Sequence, residues 1–154
     1  MEFYELLIKK GKEEGVIKNV VGAILLNCDN KFLIMSRKKD DFMGGIDELP
    51  SGNVEDGETL YEALIREVKE EANLNVKEVV SYINSFDYIS GSGKKARQYN
   101  FAIVVDSTDD IKLTEHDVYK WLSIDEVRNN SNITDEVKFA LEVYYFNFLL
   151  GLKE

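Results

Sequence analysis

The most constraining feature of the sequence is an acidic segment at residues 66–74, which follows a glycine-bearing segment at residues 52–58. The acidic segment has the spacing of a helix, in which residues three and four apart are neighbours. Three carboxylates, Glu67, Glu70 and Glu71, therefore lie close together and repel one another if nothing pairs with them. Because oxygen-rich clusters of this kind suit hard divalent cations such as Mg²⁺, the segment predicts a metal site.

A charge run of this kind is more often a solvated helix face, and a helical wheel tests that alternative. With Leu60 at zero and about 100° per residue, the apolar positions of the helix fall between roughly 300° and 140°. On the same wheel Glu71, Glu67 and Glu70 fall at about 20°, about 340° and about 280°. They overlap the apolar side instead of opposing it. Since burying an uncompensated charge is costly, the pattern favours bound counter-charge over a solvated face.

These residues resemble the Nudix box, a motif with the pattern G-x5-E-x7-R-E-U-x-E-E-x-G-U, where U is aliphatic. The match runs from Gly52 to Leu74 and departs from the pattern at a single specified position, Asn73, where glycine is usual. That position follows the helix and requires a positive φ, which asparagine adopts more readily than most residues. Ser51 replaces a glycine that usually precedes the box, which is a second and smaller departure.

The resemblance implies a fold and an activity. The implied fold class is α/β, a Nudix-type α/β/α sandwich with a mixed β-sheet, and the box forms a loop–helix–loop between strands. The implied activity is Mg²⁺- or Mn²⁺-dependent hydrolysis of a phosphoanhydride bond in a nucleoside di- or triphosphate-type substrate. Residues 97–101 look more like mutator-type nucleotide pyrophosphatases. ADP-ribose enzymes of the family often carry a proline after the box, and because Pro50, the only proline, precedes the box, that subclass is disfavoured.

Other functions stay open at this level. Hydrolysis of dinucleoside polyphosphates or nucleotide sugars is one alternative within the family. A Nudix-fold nucleotide-binding or regulatory domain without catalysis is another, although such domains typically lose box glutamates that this chain keeps. Isopentenyl-diphosphate isomerase shares the fold, but Cys28 does not occupy the place that its catalytic cysteine needs.

By the same resemblance, Glu67, Glu70 and Glu71 are the metal ligands, with Glu67 the favoured general base. Arg66 is expected to pair with Glu58 and to orient the catalytic glutamate. The residues alone allow another partner for Arg66, because an acidic residue, Glu62, stands four positions before it on the same helix.

Two further sites are weaker candidates. Glu115 and His116, the only histidine, resemble a region that supplies a further metal ligand or base in many relatives, with Glu115 the candidate base. A polar loop explains them equally well. Arg37, at the end of a predicted strand, is a candidate for binding substrate phosphate, and a solvated strand end is the alternative.

Hydrophobic periodicity and capping residues predict the remaining elements. Helices are expected at residues 1–14, 58–72, 123–127 and 134–150, and strands at residues 20–26, 32–35, 76–89, 97–105 and 119–122. In the first helix, Phe3, Leu6 and Leu7 are expected to face inward. The first two strands are expected to form a hairpin through residues 27–30.

Aromatic residues on the predicted strands are candidates for stacking a nucleobase. Alternation along a strand sends about half of such residues to the core, and the sequence does not say which half. The candidates are Phe86, Tyr88, Tyr99, Phe101 and Trp121.

Composition narrows the partners and the compartment. The net charge of −10 argues against a nucleic-acid polymer as partner, but not against a nucleotide that arrives as a metal complex. The length suits a single domain over residues 1–154. We expect no membrane span and no signal peptide. The lone Cys28 is expected at a core or edge position, and with one cysteine we expect a cytoplasmic protein.

The last predicted helix is apolar on more faces than one sheet covers. A homodimer is therefore expected, since two-fold assemblies of identical chains are the commonest. Its candidate anchors are Tyr144, Tyr145 and Phe148. In the competing explanation, the first helix covers the spare face.

Overall fold

A computed structural model describes residues 2–40, 44–114 and 116–149, and within them the chain forms four helices and seven strands. The helices are α1 (Phe3–Glu13), α2 (Leu60–Ala72), α3 (Ile124–Arg128) and α4 (Asp135–Leu149). The strands are β1 (Lys18–Ile24), β2 (Phe32–Arg37), β3 (Asp47–Glu48), β4 (Ser51–Asn53), β5 (Val76–Ile89), β6 (Lys95–Val105) and β7 (His116–Leu122).

The strands form two sheets. One is a mixed sheet in the order β4-β1-β6-β5, in which β1 runs parallel to β6 and antiparallel to β4. The other is antiparallel, in the order β3-β2-β7. The predicted hairpin of β1 and β2 is wrong as a sheet pairing. Both edges of β1 and of β2 are taken by other strands, so the two meet only at the bridge between Leu26 and Phe32.

The turn between β1 and β2 is organised by one side chain. The Asn27 carbonyl oxygen Oδ1 accepts hydrogen bonds from the backbone N–H groups of Asp29 and Lys31, both at 3.0 Å. This local bonding holds the turn on the surface. Cys28 is consequently exposed, and the expected core or edge position was wrong.

Helices cover the sheets from two sides, and the core divides accordingly. Successive residues of β1 point to opposite faces: Val21 and Ala23 join a cluster with α2, and Ile24 joins a cluster with α3 and α4. The predicted α/β class and Nudix-type sandwich are confirmed in this arrangement. None of the helices in the described ranges is long and apolar enough to span a bilayer.

The boundaries of α2 follow from its capping residues. Thr59 and Glu62 form a capping box at the N-terminus, each side chain accepting from the other's backbone N–H. Asn73 ends the helix at φ 59°, the positive φ expected there. Its side-chain amide also donates to the Asp110 carbonyl at 3.0 Å, a contact that glycine cannot make.

The orientation of α1 agrees with the prediction in part. Phe3 and Leu6, expected to face inward, are about half exposed, at 50% and 49%. Leu7 faces inward as expected, and its backbone carbonyl accepts a hydrogen bond from the Tyr99 hydroxyl at 3.2 Å. The residues that pack on the α2 cluster are Tyr4, Leu7 and Ile8.

Because α1 packs on the α2 cluster, it does not serve as a cover for α4. One face of α4, with Val137, Ala140 and Leu141, is buried in the other cluster. The apolar residues of α4 that stay exposed are Phe139, Phe146 and Phe148. The explanation in which α1 covers the spare face of α4 is therefore wrong, and the homodimer stays a prediction.

A buried carboxylate joins the second sheet to the segment before α4. Asp47 is 2% exposed and accepts hydrogen bonds from Ser36 Oγ at 2.6 Å, Lys120 Nζ at 2.8 Å and Asn130 Nδ2 at 2.9 Å. Burial alone would raise the pKa of Asp47, but these bonds, above all the one from Lys120, outweigh it and lower the pKa below its ordinary value.

We predict that Asp47→Ala lowers the free energy of unfolding by about 2–3 kcal/mol, because three donors lose their acceptor. Urea denaturation measures this loss, with the exposed Asp125→Ala as a control that should change stability less. Since the pKa of Asp47 is lowered in the fold, its contribution is present above the unfolded pKa and is lost as pH falls through the folded pKa. Equal stabilities of the two variants would contradict this account.

Candidate active site

The acidic residues of α2 differ in burial in the order that the helical wheel predicts. Glu71 is 7% exposed, and the side chains of Glu67 and Glu70 are 14% and 58% exposed. Glu71 and Glu67 therefore face the protein, and Glu70 lies at the border of the solvent-exposed face.

Gly52 on β4 makes room for one of these carboxylates. A Cβ atom at this position would overlap the carboxyl group of Glu67. A side chain at this position would displace that carboxyl group from its present place. The box glycine is thus explained by a contact across the site and not by a turn.

Arg66 makes the pair with Glu58 that the motif implies. Its Nε and Nη2 atoms donate to the two carboxylate oxygens of Glu58 at 2.5 and 2.8 Å. These bonds, with one from the backbone N–H of Glu55, lower the pKa of Glu58 to about 2. The alternative pair with Glu62 is absent from the described ion pairs, because the Glu62 carboxylate accepts from the N–H of Thr59 in the capping box.

The same guanidinium reaches two further carboxylates. Nη1 of Arg66 donates to Glu67 Oε2 at 3.0 Å and to Glu70 Oε1 at 3.1 Å. Nη2 also donates to the backbone carbonyl of Asn53 at 2.8 Å. Nη1 also lies 3.7 Å from Glu55 Oε2. One positive charge is therefore shared among four glutamates, three of them by hydrogen bonds, and is tied to β4.

Glu71 has no such partner. Among the described residues its carboxylate accepts one hydrogen bond, from the backbone N–H of Ser51 at 3.0 Å, and makes no ion pair. Burial raises the pKa of Glu71 to about 7, and the charges of Glu67 and Glu48 add to that rise. The Ser51 bond and His116 oppose it without cancelling it.

The donor chemistry of this region fits a divalent cation. Within the described ranges, no three acidic, histidine or cysteine side chains are already spaced to hold an ion, and Arg66 holds Glu70 and Glu67 instead. The available donors are hard carboxylate oxygens, Glu71 lacks counter-charge, and Gly52 clears the space beside Glu67. The assignment of Glu67, Glu70 and Glu71 as metal ligands stays a prediction that these features support.

A second polar group adjoins the carboxylates. Arg37 makes a bidentate pair with Glu48, with Nε and Nη2 at 2.8–3.1 Å from the carboxylate oxygens. His116 Nε2 lies 2.8 Å from Glu48 Oε2, and its Nδ1 is buried with no hydrogen-bond partner in the described part of the chain. Glu115 lies outside the described residues. Arg37 therefore reaches substrate phosphate only if it shares its guanidinium with Glu48.

Several of these groups line one cavity of about 430 Å³. The carboxylates of Glu48, Glu67 and Glu71 line it, and we call them its acidic end. Phe86, Tyr88 and Gln98 also line it. Of the aromatic candidates for stacking, Tyr99 and Phe101 are core residues and Trp121 packs against the core. Phe86 and Tyr88 are the two that reach the cavity.

Comparison with known families decides the assignment. The model of the NUDIX domain matches residues 17–144, far beyond the box itself. The chain belongs to the Nudix family. The resemblance seen in the sequence is thereby confirmed.

Relatives of this Nudix domain carry different substrate names. An ADP-ribose pyrophosphatase of Methanocaldococcus jannaschii is 43% identical over 65 residues, which is 41% of this chain and 38% of that protein. The asymmetrical bis(5'-nucleosyl)-tetraphosphatase of Sus scrofa is 31% identical over 101 residues, covering 63% of this chain and 69% of that protein. The chain thus spans well under half of the archaeal relative.

Among solved structures, a MutT protein from Methanosarcina mazei Go1 superposes with a TM-score of 0.75. It is 24% identical and covers 92% of this chain and 99% of that one. At this identity the likeness shows the fold alone, and the fold agrees with the predicted class.

Sequence reasoning missed several residues of the cavity, among them Glu48 and Gln98. Glu48 precedes the box, and only the pairing of β3 with β2 brings it to Arg37. Gln98 lies opposite Phe86 in the pairing of β5 and β6. Gln98 and Asn100 are polar residues at alternate positions of β6, on one face of the strand, and this spacing is the signal that could have indicated Gln98.

The raised pKa of Glu71 predicts how stability depends on pH in metal-free protein. The unfolded chain releases this proton near the ordinary glutamate pKa of 4.5, and the folded chain releases it near 7. Between these values the folded state binds more protons, so stability falls as pH rises. In EDTA, we expect Glu71 to remove up to about 3 kcal/mol of stability between about pH 5 and pH 7.5.

Urea denaturation at about pH 5 and pH 7.5 measures how the free energy of unfolding changes with pH. In Glu71→Gln this change should be smaller than in the wild type. The pKa of His116 is also raised, so it contributes a slope of the same sign in both proteins. Glu70→Gln, on the exposed side of α2, is the matched control and should keep the wild-type slope. Equal slopes in wild type and Glu71→Gln would contradict the account in which Glu71 is the group whose pKa is raised by burial.

Proposed function

We propose that the chain is a Mg²⁺- or Mn²⁺-dependent hydrolase of a nucleoside di- or triphosphate-type substrate, in which a nucleoside diphosphate is linked to another moiety. The observation that carries this proposal is the uncompensated carboxylate of Glu71, buried beside Glu67 in a cavity that also presents aromatic rings. A phosphate chain approaches such carboxylates only if cations lie between them.

The relatives support the substrate class without choosing a member of it. ADP-ribose and bis(5'-nucleosyl) tetraphosphates are named in relatives, and both contain a phosphoanhydride attached to a nucleoside. The shared part of these molecules is the part that a cation-filled acidic end would bind. The relatives differ in the group attached to the nucleoside diphosphate, so the proposal names only the part that their substrates share.

Catalysis follows from the positions of the carboxylates. A bound divalent cation supplies positive charge that offsets the charge developing on the phosphate oxygens. Glu67 accepts a proton from the attacking water, whose oxygen bonds to phosphorus while the phosphoanhydride P–O bond breaks and the leaving phosphate takes the electron pair. We assign the base to Glu67, because its carboxylate is oriented by a hydrogen bond from Arg66.

Arg66 and Glu58 act as positioning residues in this scheme. The bidentate bond between them fixes the guanidinium, and the guanidinium in turn fixes one oxygen of Glu67. This completed chain of contacts favours an enzyme over a Nudix-fold domain that only binds nucleotides, since a binding module has no need of an oriented base.

The proposal predicts cation-dependent turnover. EDTA-treated protein is assayed on nucleoside triphosphates, nucleotide sugars, ADP-ribose and dinucleoside polyphosphates, with and without Mg²⁺ or Mn²⁺. Turnover of at least one substrate is expected only with the cation. Glu67→Gln should lower kcat by at least about 10²-fold, because it removes the base and a ligand oxygen together.

Glu62→Gln is the matched control for this experiment. Glu62 lies on the same helix, but its carboxylate caps the first turn and does not line the cavity. Its kcat is expected to stay near that of the wild type. Turnover in EDTA, or full activity in Glu67→Gln, would refute the proposed function.

A further inference from the structure

A row of three amide side chains crosses one face of the mixed sheet. In the β-sheet register, Phe86 lies opposite Gln98 and Asn84 lies opposite Asn100. On the other side of β6, Gly22 lies beside Asn100. Partners in register point to the same face, so these side chains lie next to one another. Gln98 and Asn100 are 8% and 0% exposed.

In this row, from Gln98 to Asn84, each amide NH₂ group donates to the amide oxygen of the next residue. Gln98 Nε2 donates to Asn100 Oδ1 at 2.8 Å, and Asn100 Nδ2 donates to Asn84 Oδ1 at 3.1 Å. A Cβ atom at Gly22 would overlap both Asn100 Oδ1 and Gln98 Nε2, so the glycine leaves the space that the two amides occupy. Burying amides is costly unless their polar atoms are hydrogen-bonded. In this row the bonds leave one amide oxygen of the buried pair without a partner among the described residues.

The atom left over is the amide oxygen of Gln98. It accepts no hydrogen bond from any residue that the structure describes, and Gln98 lines the cavity. The rings of Phe86 and Tyr88 lie beside it, with centroids 6.1 Å apart and planes at 42°. A fixed acceptor next to two aromatic rings is suited to a flat ring that carries a hydrogen-bond donor.

We propose that Gln98 is a specificity-determining residue whose amide oxygen accepts a hydrogen bond from the amino group of a nucleobase packed against Phe86 and Tyr88. This inference rests on the proposed function, because the phosphates of the same nucleotide occupy the acidic end of the cavity. A site built to bond a polar group rejects the analogue that lacks it, since the buried acceptor is then left unpaired.

The direction of the relay decides whether Gln98 presents an acceptor or a donor. Side-chain amides can rotate to exchange their oxygen and nitrogen atoms. Asn84→Asp fixes the direction, because a carboxylate only accepts. Asn100 must then donate to residue 84 and accept from Gln98, which leaves the Gln98 oxygen facing the cavity.

The test compares kcat/KM for a nucleotide with that of its counterpart lacking only the base amino group, on the same phosphate chain. Adenine is compared with unsubstituted purine, and guanine with hypoxanthine. For at least one pair, wild-type protein is expected to prefer the amino-bearing base by about tenfold or more. In Gln98→Met, which keeps the length but has no amide oxygen, that preference should fall below about threefold.

Two variants keep the acceptor and serve as matched controls. Asn84→Asp should retain or increase the preference, and Gln98→Glu should retain it. Circular dichroism and Tm establish that each variant is folded, and Gln98→Leu, which also lacks the amide oxygen, replaces the Met variant if that variant does not fold. Loss of the preference in folded Gln98→Glu would overturn the inference.

The outcomes also separate this inference from the proposed function. Hydrolysis with no preference in either pair, or a preference that survives in Gln98→Met, overturns the inference and leaves the hydrolase intact. Absence of any nucleotide hydrolysis by the wild-type protein overturns both.

Discussion

The sharing of one guanidinium among four carboxylates, three of which it bonds directly, is the interaction on which this structure depends. Arg66 bonds to Glu58, Glu67 and Glu70 and also to the backbone of β4. It thereby ties the box loop, the box helix and the edge of the mixed sheet together. Because the guanidinium already pairs with these groups, it does not pair with Glu71. Glu71 therefore stays buried without a cationic side chain beside it, and its pKa is raised.

This imbalance links stability to function. A carboxylate that is buried without a partner destabilises the fold, and a sequence selected only for stability would place an apolar residue there. A divalent cation bound by the native state reverses that cost by mass action. Under the proposed function, cations held by these carboxylates bind the phosphates, and the aromatic and amide side chains that line the same cavity meet the rest of the substrate. The net charge of −10 is compatible with a nucleotide once cations neutralise the acidic end.

The parts that could be predicted from sequence are those that depend on residues close together in the chain. Thr59 and Asn73 mark the ends of α2, and the helical wheel places Glu71 and Glu67 toward the protein. These two features involve a few turns of backbone, so local propensity and spacing determine them. The pairing of Arg66 with Glu58 is implied only by the resemblance to the Nudix box, because spacing alone also allows Glu62 as the partner.

The parts that could not be predicted depend on which strands become neighbours. The turn after β1 has the chemistry of a hairpin, yet each flanking strand finds other partners and the chain changes sheets. The bonds of Glu48 to Arg37 and His116 join strands that are far apart in sequence. The cavity position of Gln98 likewise appears only when β6 lies between β1 and β5. Tertiary pairing of this kind overrides local preference.

Calorimetric titration of Mn²⁺ into metal-free protein near pH 6.5 tests the central claim most directly. Glu71 has a pKa of about 7, so a large fraction of it is protonated at this pH and must lose its proton when the ion binds. Heats measured in two buffers of different ionisation enthalpy should reveal proton release, and Glu71→Gln should bind far more weakly and release fewer protons. Equal affinity in the two proteins, with no proton release in either, would show that the ion does not bind at this carboxylate and would contradict the account.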